Sequence, residues 1–219
     1  MATTRLDEPH PLLALDGRSL GRLRLRVRAL EPAEKSGWVR FELAVGDEEG
    51  EFSPPVVRGI HSAGGRGVRP WIEITDYRPE VSRGAETLRL SDEGLDVALF
   101  AALLELVPPG GHLMVWCESP VHRETYLASS RGVPPVLTPL GSALHRAGLP
   151  RVKLFDLPEG GREGEKKLWA DVPVDAAMAR AFRMRTEEEL RSFLSRPPSS
   201  SDARRFSEPA RRLLRALER

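Results

Sequence analysis

Arginine recurs at every second position over one short stretch, where Arg22, Arg24, Arg26 and Arg28 alternate with Leu23, Leu25, Val27 and Ala29. A period of two places the arginines on one face of a strand and the apolar residues on the other, because successive strand side chains point to opposite sides. Val39, Phe41, Leu43 and Val45 repeat the alternation, and Gly46-Asp47-Glu48-Glu49-Gly50 supplies turn residues behind them. Val56–Ile60 and Val68–Tyr77 are the third and fourth strand candidates, separated by the glycine-rich Ser62-Ala63-Gly64-Gly65-Arg66-Gly67. Connections this short join only antiparallel neighbours, so the first half reads as a meander of about four antiparallel strands.

Residues 1–20 hold Pro9, Pro11 and Gly17 and carry no period, so an irregular segment is expected there. At Ser91 the pattern changes. Ser91 suits an N-cap, Asp92 and Glu93 suit the positive end of a helix dipole, and Leu95–Val107 is apolar almost all round, which predicts a deeply buried helix. Pro108-Pro109-Gly110-Gly111 stops it, and His112–Glu118 follows as a nearly continuous apolar run of the kind found inside a sheet. A strand reached through a buried helix is a crossover unit, expected to be right-handed. Helices are predicted around Arg123–Ser130 and Thr138–Ala147, with Gly132-Val133-Pro134-Pro135 between them. Strands over Arg151–Leu157 and Lys167–Val172 follow, joined by a hairpin tip at 158–164.

Asp175–Leu194 is amphipathic and helical, Pro197–Ser201 reads as a linker, and Asp202–Arg219 as a last, basic helix. The expected fold class is α/β (α+β), in three parts. Residues 1–20 are irregular, residues 21–173 form a core with a mixed, largely antiparallel sheet and crossover helices, and residues 174–219 form a C-terminal helical extension with its linker at 197–201.

A chain of 219 residues with 33 basic and 32 acidic side chains has no net field that draws nucleic acid, and that partner is not expected. Cys117 is the sole cysteine, which excludes an internal disulfide and a multi-cysteine zinc site. The histidines show no H-x-x-x-H or H-E-x-x-H spacing, so no metal is expected. With no apolar run of about 18 residues and no basic-then-apolar start, the expectation is a soluble, cytoplasmic protein without a membrane anchor. Nineteen prolines and an excess of arginine over lysine match compositions met in hot or GC-rich organisms.

The order of four meandering strands, a buried helix, a strand, a helix and a closing hairpin over Arg22–Val172 resembles that of the acyl-CoA N-acyltransferase superfamily. Gly141-Ser142-Ala143-Leu144-His145-Arg146-Ala147-Gly148-Leu149, followed by Val152-Lys153-Leu154, is similar to the helix, glycine and strand passage near that superfamily's end. The whole chain also resembles a domain-of-unknown-function family of archaea and thermophilic bacteria. The superfamily resemblance implies an acyl-CoA cofactor, its pyrophosphate held where a Gln/Arg-x-x-Gly-x-Gly/Ala turn runs into the buried helix and free N–H groups meet the phosphates. Arg83-Gly84-Ala85-Glu86-Thr87-Leu88-Arg89-Leu90-Ser91 stands at that place with a single glycine, which makes Arg83, Gly84 and Ser91 the cofactor-binding candidates. Leu103–Val115 with the helix and hairpin behind it also resembles the closing half of the methyl-donor-dependent methyltransferases. The early glycine-rich turn of those enzymes has no counterpart here.

Alternation on the fourth strand gathers Trp71, Glu73, Thr75 and Tyr77 on one face. Glu73 could take a proton from an amine, directly or through water, and the same residues also suit a polar solvent face. Tyr126, in the helix after the fifth strand, is similar in position to the superfamily's general acid, which returns a proton to the departing thiolate. Cys117 and Glu118 end the fifth strand beside Ser119 and His122. A cysteine and a histidine can form a nucleophile and its base, while a cysteine in so apolar a run also suits a core. Trp71, Tyr77, Glu118 and His122 are pocket-lining candidates, since α/β sheets place ligands at strand ends. Arg58, His61, Arg66 and Arg69 surround the glycine cluster and could hold an anion or stand solvated.

Three functional readings follow. The first is an acyl-CoA-dependent N-acyltransferase that works by proximity and proton transfer, with Glu73 as base and Tyr126 as acid. The second is a non-catalytic module that forms a homodimer or binds a protein partner through residues 174–219. There Arg204, Arg205, Arg211, Arg212, Arg215 and Arg219 interleave with Phe206, Leu213, Leu214 and Leu217. The third is a methyltransferase-like enzyme.

Overall fold

The structure is a computed structural model that describes residues 10–13, 19–32, 38–46, 55–65, 67–78, 80–83, 86–90, 94–117, 120–156 and 166–219. The chain divides into two compact units, residues 1–115 and 116–219.

In the first unit, strands β1 (His10–Leu13), β2 (Ser19–Pro32), β3 (Trp38–Gly46), β4 (Val57–Ser62) and β5 (Trp71–Tyr77) pair antiparallel in chain order. The predicted meander is present and one strand longer. His10–Leu13 pair with β2 inside the segment expected to be irregular, and Pro11 is tolerated because β1 is an edge strand, where a missing N–H costs no ladder bond. Register follows the alternation: Leu25, Val27 and Ala29 stand opposite Val45, Leu43 and Phe41. The three β3 residues are buried, each such side chain contributing roughly 1.5–3 kcal/mol. Phe41 pairs with Gly59, whose missing Cβ makes room for the ring; a Cβ there would lie 2.7 Å from Phe41 Cζ and 2.4 Å from Glu73 O.

Between β5 and the buried helix lies a hairpin that the sequence did not predict, β6 (Glu80–Arg83) paired with β7 (Glu86–Arg89). Helix α1 (Leu95–Leu104) then buries Leu95, Val97, Ala98, Leu99, Phe100 and Leu103. Its N-cap is Gly94 at φ 69°, not Ser91, because only a residue tolerant of the left-handed region can make that turn. Strand β8 (His112–Trp116) runs parallel to β5, with Ile72 opposite Leu113 and Ile74 opposite Val115. The crossover unit read from the sequence is thus present, and the sheet is mixed and mostly antiparallel.

The second unit holds α2 (Pro120–Ser130), a 3-10 turn at Pro135–Leu137, α3 (Pro139–Arg146), the antiparallel hairpin β9 (Lys153–Asp156) and β10 (Lys166–Asp171), and then α4 (Ala176–Ser195) and α5 (Ser200–Leu217). Side chains that accept orphan N–H groups set the starts of three helices. Thr138 Oγ1 accepts from Gly141 N at 3.3 Å, Asp175 Oδ1 from Met178 N at 2.7 Å and Ser199 Oγ from Asp202 N at 3.1 Å. The last of these caps starts α5 inside the segment read as a linker. Helix α4 buries Thr186, Leu190 and Phe193, and α5 buries Asp202, Phe206 and Ala210, each at helical spacing. Among the described residues no helix is long and apolar enough to cross a membrane.

Candidate functional site

On β5, Trp71 and Glu73 are half-buried and Thr75 is exposed, but Tyr77 does not share their face. Arg58 pairs with Asp76 while Gly59 pairs with Ile74, which leaves Thr75 as an extra, bulged residue. A one-residue bulge inverts the alternation beyond it. Tyr77 is therefore buried with Ile72 and Ile74, its ring 5.4 Å from that of Phe100, and burial first, then the Asp96 charge, push its phenol above the ordinary range.

The start of α1 is the position where the superfamily resemblance implied a pyrophosphate. Leu95 N and Asp96 N donate to Leu90 O at 2.8 and 3.3 Å, and Val97 N donates to Asp96 Oδ1 at 2.7 Å. The first three helical N–H groups, the ones a helix leaves over for an anion, are all engaged. One of them is held by a carboxylate, whose charge repels phosphate. Arg83 ends β6, and Gly84 and Ser91 lie outside the described residues. Among the described residues, these three donors are already taken and do not fit the diphosphate of coenzyme A.

The glycine cluster is also closed on itself. Gly65 N donates to Val68 O at 3.0 Å and Val68 N to Gly65 O at 2.9 Å; Arg58 is paired with Glu42 at 2.8 Å, and Arg66 lies outside the described residues. His61 is held below its ordinary pKa by burial, against a backbone hydrogen bond at Leu106 that raises it.

After β8, Cys117 is buried, and burial pushes its thiol up to about 11 despite a backbone hydrogen bond with Leu168 that lowers it. A thiol so placed is a core group and not a nucleophile at neutral pH. Glu118 and Ser119 lie outside the described residues. His122 is buried and Tyr126 half-buried, one turn apart on α2, and the exposed Glu124 between them pairs with Arg205. Glu73 belongs to the first unit and Tyr126 to the second. Among the described residues no group of three or more His, Cys, Asp or Glu side chains could hold a metal ion.

A cavity of about 350 Å³ opens within the second unit, between the end of α2, the loop that follows it, β9 and the last turns of α4. Val133, Pro134, Pro135, Leu154 and Phe193 give it apolar walls, and Ser129, Lys153, Glu189, Ser192 and Arg196 are its polar liners. Glu189 Oε1 accepts from Arg151 Nη2 at 2.7 Å and from Arg151 Nε at 3.1 Å, while Lys153 Nζ lies 3.4 Å from Asp171. Ser129 Oγ is shielded from solvent and has no hydrogen-bond partner among the described residues.

Among the described residues, none of those selected from the sequence as site candidates lines this cavity. The signal present was Gly132-Val133-Pro134-Pro135, which reads locally as a spacer between helices. Its wall is built by local geometry: Thr138 Oγ1 donates to Pro135 O at 2.6 Å, and Gly141 passes so close that a Cβ would lie 1.9 Å from the same oxygen.

Residues 21–197 match the family DUF1122, whose description is a protein of unknown function. No curated protein matches the chain. A crystal structure of a protein of unknown function from Aquifex aeolicus VF5 is similar at a TM-score of 0.63 and 20% identity, covering 90% of each chain, which is a likeness of fold. With that family model running from the second strand to the end of α4, the chain belongs to DUF1122.

Proposed function

We propose that the chain is a binding protein that takes a small ligand in the cavity of its second unit. The observation that carries this reading is the cavity itself: apolar walls with a few polar groups among them, in the volume range of small-molecule sites. The engaged first turn of α1 supports the same reading, since it weighs against a nucleotide-type cofactor. The test is a fragment screen read by amide chemical shifts of the full chain. Hits should move the signals of residues 129–133, 153–154 and 189–196, and Ser192→Trp, which fills the opening from an exposed position, should abolish them. A diverse screen with no hit at these residues rejects the proposal.

Acyl-CoA-dependent N-acyl transfer through Glu73 and Tyr126 is the second reading. The parallel crossover of β5, α1 and β8 inside a mostly antiparallel sheet favours it, since that order is the one the resemblance implies. It requires acetyl-CoA to bind the chain and Glu73→Gln to abolish transfer to an amine.

A further inference from the structure

Three ionisable side chains line the cavity of the second unit, and two of them are already met by opposite charge. Glu189 is held by Arg151 and Lys153 by Asp171. Arg196 makes no ion pair among the described residues, so the wall is left with one uncompensated positive charge. Arg196 also caps α4, and its N–H takes Ser192 O at 3.0 Å, one of the carbonyls that make a helix end negative. The guanidinium is then the charged group left for a ligand.

We infer that the ligand is a small monoanion with an apolar body, a carboxylate, and that Arg196 is its charge partner; this rests on the ligand-binding reading above. A cation would meet Lys153 and Arg196 with only Glu189 on its side, and Glu189 is already paired with Arg151. A dianion would leave one charge unmatched among apolar walls, which is costly. The planar fork of an arginine matches the two oxygens of a carboxylate. Val133, Pro134, Pro135 and Phe193 are buried, so they offer an apolar wall for a branched or aromatic body. The exposed hydroxyl of Ser192 can donate to the same headgroup.

The test is calorimetric titration of the full chain with phenylacetate and isovalerate, their neutral amides, and phenethylamine. The carboxylates should bind and the amides should be weaker by about tenfold or more, the scale of a charge-assisted hydrogen bond. Arg196→Ala should lower carboxylate affinity by a similar factor with no change in Tm, because Arg196 is exposed, and Arg196→Lys should restore part of it. Amides or the amine binding as well as the acids, or no effect of Arg196→Ala, would overturn the anion assignment while leaving a ligand cavity. Fragments that shift the cavity signals while no carboxylate binds would do the same. A screen with no cavity hit at all removes the underlying reading instead.

Discussion

Arg131 and Asp202, 71 positions apart, form a two-point ion pair, with Arg131 Nη2 donating to Oδ1 at 2.8 Å and Nε to Oδ2 at 3.3 Å. Asp202 is only 3% exposed, and Ser199 Oγ donates to its Oδ2 at 2.7 Å. The same guanidinium reaches back to Leu127 O at 2.8 Å. The pair therefore ties the end of α2 to the first turn of α5, and the cavity loop begins at the next residue, Gly132.

Arg131 first, then Ser199, hold the Asp202 carboxyl below its ordinary range, against burial that would raise it. A carboxyl whose folded value lies below its unfolded value, about 3.9, adds stability above that pH and loses it as pH falls through the folded value. Asp202→Asn should accordingly melt lower than the parent at pH 7, and the gap should close on acidification below about pH 4. Circular dichroism melts at matched pH check this. Parallel curves would mean that the half-exposed Arg131 contributes nothing through the pair.

Gly141→Ala puts a methyl group 1.9 Å from Pro135 O and 2.4 Å from Pro135 C, so the 3-10 turn must move. Overpacking against backbone of this kind costs about 1–3 kcal/mol. The urea midpoint should fall with an unchanged slope. Because the displaced residue is a cavity wall, ligand binding should weaken beyond what the stability loss explains, which titration at low temperature separates.

Strand period, burial of α1 and the crossover to β8 were legible because each is written in neighbouring residues. Tyr77 was assigned to the face of Glu73 by the same period, and the bulge that removes it is a property of the pairing with β4. Ser91 had the chemistry of an N-cap, yet the helix starts after Gly94, where the backbone needs a positive φ. The cavity was illegible for another reason. Ser129 comes from α2, Lys153 from β9, and Glu189 and Arg196 from the end of α4, each ordinary in its own context, and only the fold brings the three segments together.

Cys117 has the single thiol of the chain, and burial has moved it to about 11. The ordinary thiol value is about 8.5, so the thiolate fraction at pH 8 is smaller by about a hundredfold or more. Ellman's reagent at pH 8 should label the folded chain far more slowly than the chain in urea. Fast labelling of the folded chain would return Cys117 to the list of nucleophile candidates.

The engaged start of α1 makes a prediction about cofactors. A ligand that binds only the folded state raises Tm in proportion to the logarithm of its concentration over Kd. Acetyl-CoA and free CoA should leave Tm unmoved, because Leu90 O and Asp96 Oδ1 already hold the N–H groups of Leu95, Asp96 and Val97. Asp96→Ala removes the carboxylate and frees Val97 N, at a stability cost of about 0.3–1 kcal/mol from the lost helix-dipole contact. If that variant gains a CoA-dependent rise in Tm that the parent lacks, Asp96 is the group that closes the position to phosphate. A rise already present in the parent would place a diphosphate on the chain despite these bonds and bring N-acyl transfer through Glu73 and Tyr126 to the front.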